Sequence, residues 1–332
     1  MAFDDFPEKQ ADLHEGIVVC AHSGHFLVVC DEVTYRCQLR GRLKQGQRLA
    51  QSVVVVGDSV LIRVLDREEG DAVSTGMIEE ILPRRNKISR YAARRSGGRI
   101  EQVLMANLDQ VVAVQSLCEP SPQAGFVDRM LVAAESYGVS GVLCLNKCDL
   151  DPEAAQDPYW DYYQNLDYTI LRTSALTGRG LSALRNQLKG RISLLLGASG
   201  VGKSSLLNRL QPGLQLKVKE VGSKSGLGRH TTERTELFKL GFGGFIADSP
   251  GIRGFDPWDI APTALGDYFP DWHKPASRCR FRTCLHRDEP DCGVKEEVAR
   301  GIIPHRRYEA YLALVRDLEN RQDRPGGRLF RK

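Results

Sequence analysis

The chain has 332 residues, enough for two or three domains with a core in each. Its 42% hydrophobic and 27% charged content is that of an ordinary soluble protein, and no apolar run reaches the roughly eighteen residues that a membrane span needs. The net charge of +4 is too mild to choose a partner, but its distribution is informative.

The acidic start Met1-Ala2-Phe3-Asp4-Asp5-Phe6 lacks the basic and apolar regions of a signal peptide. Six of the nine cysteines (Cys20, Cys30, Cys37, Cys118, Cys144, Cys148) are scattered through strand-like runs and their edges, and three cluster near the C-terminus. That usage predicts a reducing cytoplasm, with buried thiols in the first group and a metal site in the second.

From about Glu15 to Glu80 the sequence reads as short strands split by turns: Gly16–Cys20, His25–Cys30, Thr34–Leu39 and Ser59–Val64 are β-rich, with Ser23-Gly24 and Val56-Gly57-Asp58 between them. The spacing predicts an OB-type barrel of about five strands, a fold whose open face and loops often hold nucleic acid. Between Ile81 and Ile100 seven basic residues (Arg84, Arg85, Lys87, Arg90, Arg94, Arg95, Arg99) occur with no acidic one, around Ser96-Gly97-Gly98. This is expected to be an exposed linker. Together with the basic tail from Arg321 to Lys332, it has the charge footprint of a polyanion's partner.

A different grammar follows. The strand Asp109–Gln115, the helix Phe126–Tyr137 stopped by Gly138, and the strands Gly141–Leu145 and Tyr168–Arg172 alternate as in a doubly wound α/β domain with a parallel sheet. Asn146-Lys147-Cys148-Asp149 stands just past the strand end at Leu145. A carboxylate there can accept from guanine N1–H and the N2 amine, which adenine does not offer. Lys147 would lay its stem along the base, and Asn146 would tie the loop to a phosphate loop. Ser174-Ala175, after the next strand, would give a backbone N–H to guanine O6.

The phosphate loop itself comes later. Leu194-Leu195-Leu196 leads into Gly197-Ala198-Ser199-Gly200-Val201-Gly202-Lys203-Ser204, a complete G-x-x-x-x-G-K-S, and Ser205–Leu210 leads out with helical spacing. Strand, glycine loop and helix together make a nucleoside triphosphate site: backbone N–H groups and the helix N-terminus face phosphate. Lys203 would reach the β- and γ-phosphates, and the Ser204 hydroxyl would sit on Mg²⁺. Gly228-Arg229-His230-Thr231-Thr232 follows in a glycine- and lysine-rich stretch, where a threonine, taken as Thr232, can close over Mg²⁺. Asp248-Ser249-Pro250-Gly251 then follows the strand Gly244–Ala247, with Asp248 toward Mg²⁺ and the Gly251 N–H toward the γ-phosphate. The base-reading loop thus precedes the phosphate loop, the reverse of ordinary GTPases, so the domain reads as circularly permuted.

From about Trp258 short helices replace the sheet pattern, and Cys279-x₄-Cys284-x-His286-x₅-Cys292 offers three thiolates and one imidazole. Four soft donors with no open position fit one structural tetrahedral Zn²⁺. Arg278, Arg280, Arg282 and Arg287 around it favour a metal-braced surface facing phosphate.

Together these motifs resemble the RsgA family of ribosome-assembly GTPases, also called YjeQ or EngC, and the resemblance spans nearly the whole chain. It implies an OB-type barrel over 13–86, a basic linker over 87–103, a circularly permuted GTPase domain over 104–257 and a helical zinc domain over 258–332. It further implies docking on the small (30S) ribosomal subunit and its rRNA late in maturation, GTP hydrolysis stimulated by that subunit, and release of assembly factors. The expected protein is a cytoplasmic monomer that needs GTP with Mg²⁺ and one zinc ion. Ser249 stands where the family usually has threonine, with little effect expected. Ile252 stands close to where many GTPases carry a water-orienting glutamine, so intrinsic hydrolysis should be slow and His230 is the available substitute. The rival expectations are a passive RNA-binding module with GTP as a structural ligand, and a small-molecule kinase, which the guanine-reading pair disfavours.

Overall fold

The structure is a computed structural model and describes residues 13–22, 24–41, 43, 53–66, 74–93, 99–123, 125–213, 235–248 and 260–322. These fall into two compact units.

The first unit is a closed barrel of β1 (Leu13–His22), β2 (His25–Cys30), β3 (Val33–Leu39), β4 (Ser59–Asp66) and β5 (Ser74–Ile81). Its order is β1-β2-β3-β5-β4, with β4 pairing back onto β1 and only β3–β5 parallel. Alternation selects the inward set: Val18, Phe26, Val28, Tyr35, Cys37, Val60, Ile62 and Ile78 fill the interior.

The segment read as a linker is not irregular. Lys87–Ala93 (β6) and Arg99–Ala106 (β7) form an antiparallel ladder. Its β-branched and aromatic residues were masked in the sequence by the arginines among them. The start of this basic stretch is already engaged. Arg84 donates from Nε to Asp58 Oδ1 at 2.6 Å, and Asp58 is wholly buried. The Arg85 guanidinium donates to the Asn107 carbonyl at 3.1 Å, and Lys87 pairs with Glu101 at 2.8 Å. A buried carboxylate must find a cation and hydrogen-bond donors, so these positions hold the hairpin to the barrel.

The second unit is built on a six-stranded sheet ordered β10-β9-β8-β11-β13-β12, to which it supplies every strand but β12. The strands of this sheet are β8 (Gln110–Ser116), β9 (Ser140–Asn146), β10 (Thr169–Arg172), β11 (Ile192–Leu196), β12 (Glu236–Lys239) and β13 (Phe245–Asp248). The pairs β10–β9, β9–β8, β8–β11 and β11–β13 are all parallel. β8 and β11 are buried at every position, as strands covered on both faces must be.

Helices α1 (Phe126–Ser136), α2 (Pro158–Gln164), α3 (Leu181–Leu188) and α4 (Lys203–Leu210) connect the strands. α1 ends as its glycine predicts. Gly138 has φ 64°, and the Val139 N–H folds back on the Ala134 carbonyl at 2.9 Å. α2, which the sequence reading missed, starts on an aspartate cap: Asp157 Oδ1 accepts from the Tyr159 N–H at 2.9 Å, with proline at the first helical position.

The C-terminal lobe of this unit consists of 3₁₀ turns, α5 (His273–Ala276), α6 (Gly293–Ala299) and α7 (His305–Gln322). Phe269, Trp272, Tyr311, Leu314 and Val315 form its core, and Val132 of α1 joins the same cluster. The lobe is therefore packed onto the sheet's helical layer.

Candidate nucleotide site and metal centre

In the strand order, the chain runs from β8 outward through β9 to β10, then returns to place β11 on the other side of β8. Open parallel sheets bind ligands at the carboxyl ends of their strands beside such a reversal. The phosphate loop leaves β11 there, Asn146–Asp149 leaves β9, and Ser174-Ala175 follows β10. Three loops far apart in sequence thus share one edge.

Hydrogen bonds join them. Asn146 is almost fully buried, and its Nδ2 donates to the Val201 carbonyl at 2.8 Å, linking the base loop to the phosphate loop. The opposite side of that amide accepts from Thr173 Oγ1 at 3.1 Å, so the hydroxyl fixes which way Asn146 faces. Thr173 carries no motif of its own, and its position at the end of a strand before Ser174 is the only sequence signal.

Gly202 has φ 96°, and a Cβ there would lie 2.3 Å from Asn146 Nδ2. A Cβ on Gly197 would lie 2.3 Å from the Val114 carbonyl oxygen. Gly202 needs glycine for backbone shape and for close approach, and Gly197 for close approach. Lys203 Nζ donates to the Gly197 and Ala198 carbonyls at 2.7 and 3.0 Å, so its ammonium is held over the loop. Burial lowers its pKa from the ordinary lysine value.

The other predicted residues are sorted by exposure. Ser199, Gly200 and Ser205 are exposed, and Ala198, Gly202, Lys203, Ser204, Lys147, Asp149 and Ala175 are half-buried. Lys147, at φ 62°, donates from Nζ to the Glu119 carbonyl at 2.5 Å. The same carbonyl accepts from Ser116 Oγ at 2.9 Å, so the turn after β8 forms part of this rim, which the sequence reading did not include. The Ser174 N–H is engaged by the Arg179 carbonyl at 2.9 Å, while Ser174 Oγ accepts from the Thr177 N–H at 3.1 Å.

The side chains of Cys148 and Val201 are buried beneath these loops. Cys148 is 1% exposed, donates its thiol to the Leu145 carbonyl at 3.1 Å and packs with Leu143 and Trp160 beneath the loop. Val201 is also buried, and it contributes its carbonyl. Their apolar side chains anchor the loops. The side chain of Asp248 lies outside the described residues, as do Ser249, Gly251, His230, Thr231 and Thr232.

In the C-terminal lobe, Cys279 Sγ, Cys284 Sγ, His286 Nδ1 and Cys292 Sγ converge, with all ligand atoms within 4.8 Å of one another. Cys279 Sγ lies 3.8 Å from Cys292 Sγ and 3.5 Å from His286 Nδ1, which lies 3.3 Å from Cys292 Sγ. Tetrahedral bonds of about 2.3 Å to sulfur and about 2.0 Å to nitrogen give edges of roughly 3.5–3.8 Å. The donor set fits a metal ion, and these four residues could hold one.

The imidazole is set by its surroundings. His286 takes φ 55°, its N–H donates to Cys284 Sγ at 3.3 Å, and its carbonyl accepts from Tyr308 O–H at 2.6 Å. Trp272 packs edge-on against the ring, with centroids 5.2 Å apart. Burial pushes the Cys284 thiol up to about 12, so a bound cation would supply the charge that makes it a thiolate.

A buried ion cluster joins this lobe to the sheet. Arg307 on α7 is 1% exposed and donates to Asp128 Oδ1 of α1 at 2.6 Å. It also grips Asp271 Oδ1 and Oδ2 at 2.6 and 2.8 Å, with its guanidinium 5.3 Å from the Tyr163 ring centroid and 4.7 Å from that of Phe269. Burial opposes that cation, but Asp271 and Asp128 hold its pKa well above the ordinary value. Tyr163 O–H donates to Asp128 at 2.9 Å, and Tyr162 O–H donates to Asp271 at 2.8 Å.

The phosphate loop behind the base-reading loop in the chain, on one parallel sheet, defines a circularly permuted P-loop GTPase. A crystal structure titled as YloQ, a circularly permuted GTPase, is similar at a TM-score of 0.69 and 29% identity, covering 97% of this chain and 100% of that one. The crystal structure of YjeQ from Thermotoga maritima is similar at a TM-score of 0.72 and 35% identity, covering 93% of this chain and 99% of that one. The RsgA N-terminal domain model matches residues 15–71, and the RsgA GTPase model matches residues 81–258. Relatives called small ribosomal subunit biogenesis GTPase RsgA include those of Thermotoga petrophila and Moorella thermoacetica. The first is 39% identical, covering 92% of this chain and 97% of the relative, and the second 38%, covering 93% and 98%. The chain belongs to the RsgA family and is a GTP hydrolase.

Proposed function

We propose that this GTPase binds the small ribosomal subunit through its rRNA and hydrolyses GTP as a late-maturation checkpoint, slowly alone and faster on the subunit. The reading is carried by the Asn146–Val201 hydrogen bond, which welds a base-reading loop to a phosphate loop, in a family whose relatives are called small ribosomal subunit biogenesis GTPases. Asp149 reads the guanine N1–H and N2 amine, and Lys147 covers the base face. With the Ser174 amide engaged elsewhere, the Ala175 amide is the one that meets O6. The loop amides of 197–202 and Lys203 hold the β- and γ-phosphates, and Gly251 meets the γ-phosphate.

Ser204, Thr232 and Asp248 would hold Mg²⁺, which would neutralise phosphate charge, with the threonine closing when GTP is present. His230 positions the attacking water once rRNA contact docks its loop. One Zn²⁺ on Cys279, Cys284, His286 and Cys292 is structural: all four positions are protein ligands, leaving no site for substrate. The protein acts as a monomer in the cytoplasm. The barrel over 13–86, the basic stretch and the zinc lobe carry the RNA contacts.

The test is GTP turnover of the purified chain with and without purified small subunits, and with large subunits as control. The expected result is stimulation by small subunits alone. Turnover indifferent to them would leave a passive RNA-binding module with GTP as a structural ligand. Calorimetric binding of ATP equal to that of GTP would overturn the base assignment.

A further inference from the structure

Phe281 is a large apolar side chain left 44% exposed, at the tip of the short loop between Cys279 and Cys284. Nothing in the GTPase chemistry uses it. The tip is held on both sides: the Arg280 N–H donates to the Asp291 carbonyl at 3.1 Å, and the Phe281 carbonyl accepts from the Cys284 N–H at 3.3 Å. The loop runs between two metal-site residues, so the ring is presented by a pinned turn.

Its neighbours are cationic. From Ser277 to His286 the chain carries Arg278, Arg280 and Arg282 and no acidic residue. The Arg280 guanidinium lies 5.5 Å from the Phe281 ring centroid and touches Asp291 only in an exposed pair at 3.3 Å. Arg282 is exposed, and among the described residues no carboxylate pairs with it. An exposed ring flanked by guanidinium groups fits a partner with flat π-faces and phosphates close together. Single-stranded nucleic acid has both, because successive bases stack on aromatic side chains while the backbone runs along basic ones. A paired helix hides its base faces, and in RNA its deep major groove is closed to side chains.

We propose that Phe281 is a stacking platform for an unpaired RNA base, with Arg280 and Arg282 on the phosphates to either side. This rests on the RNA-binding reading above and adds the form of RNA that the lobe takes. Because the turn is held before binding, little ordering is needed on contact, which favours affinity.

The test uses the full metal-loaded chain, a short fluorescently labelled oligouridylate and a blunt RNA duplex. Stacking on one aromatic side chain is expected to make Phe281→Ala bind the oligouridylate roughly tenfold more weakly, with duplex affinity unchanged. Phe281→Tyr should retain affinity, and Phe281→Trp should show indole fluorescence quenched by the oligouridylate and not by the duplex. Arg282→Ala should lower the salt dependence of single-strand binding by about one phosphate contact. Metal content and melting temperature of Phe281→Ala should match the parent, since the ring lies outside the lobe core.

Unchanged oligouridylate affinity in Phe281→Ala would overturn the proposal, as would an equal loss on the duplex. So would a loss seen only with intact subunits, which would assign the ring to a ribosomal protein. Subunit-stimulated turnover alongside any of these results would leave the GTPase reading standing. Unstimulated turnover with Phe281-dependent oligouridylate binding would sink that reading and leave the platform.

Discussion

Replacing Arg307 with methionine would strip the cation from two buried carboxylates. Asp128 and Asp271 have side chains 1% and 5% exposed, and Arg307 holds them at 2.6 Å each. Removing one partner of a buried pair costs about 3–5 kcal/mol, because the remaining charge stays uncompensated. Methionine keeps part of the apolar stem between Tyr163 and Phe269, which isolates the charge effect. With a urea slope of about 2 kcal/mol/M, the loss corresponds to a midpoint lower by about 2 M. Trp160 and Trp272, both buried and on the two sides of the joint, report it by fluorescence. Adding Asp128→Asn and Asp271→Asn should restore most of the loss, since the orphaned charges go with them. A midpoint for Arg307→Met within about 0.5 M of the parent would refute the reasoning, because carboxylates that tolerate the loss are not relying on the guanidinium.

Four further outcomes are expected. Gly202→Ala places a Cβ 2.3 Å from Asn146 Nδ2 at φ 96°, and the left-handed backbone alone costs about 1–2 kcal/mol; GTP affinity by calorimetry should fall at least about tenfold. Thr173→Val removes the donor to Asn146 Oδ1 at 3.1 Å, leaving a buried acceptor unsatisfied at about 1–3 kcal/mol; GDP dissociation measured with a fluorescent analogue should quicken. Stripping the metal with a chelator should release one ion per chain and change the fluorescence of Trp272, whose ring packs on His286. Limited proteolysis should then cut within 260–322 before it cuts the sheet.

The fourth concerns pH. The Lys87 hydrogen bond lowers the Glu101 pKa from its ordinary value, against a smaller cost of burial. A lowered folded pKa gives a contribution present above the unfolded value and lost as pH falls through the folded one. Hydrogen-exchange protection in the β6–β7 ladder, taken relative to the intrinsic amide rate at each pH, should therefore fall below the normal glutamate range, modestly because the pair is exposed.

The sheet and barrel were largely legible in the sequence. Continuous apolar runs such as Leu194–Leu196 mark strands buried on both faces, and the eight-residue glycine loop can be built by few other sequences. The hairpin at Lys87–Ala106 was not legible, because strand pairing depends on a partner that the charge pattern does not reveal. Cys148, expected from the sequence as a buried thiol, is packed with Leu143 and Trp160.

By itself the sequence determined the chemistry offered: which carboxylate, ammonium, thiols and glycines are available, and in what unusual order. Those are covalent facts, and motif spacing carries them. Tertiary structure alone decided which groups meet. It orients the Asn146 amide by Thr173, draws the Glu119 carbonyl to Lys147 and buries Arg307 between carboxylates 179 and 36 positions away in the chain. Hydrogen bonds and ion pairs act over a few ångströms, and only packing of the sheet and its helices brings residues so far apart in the chain within that reach.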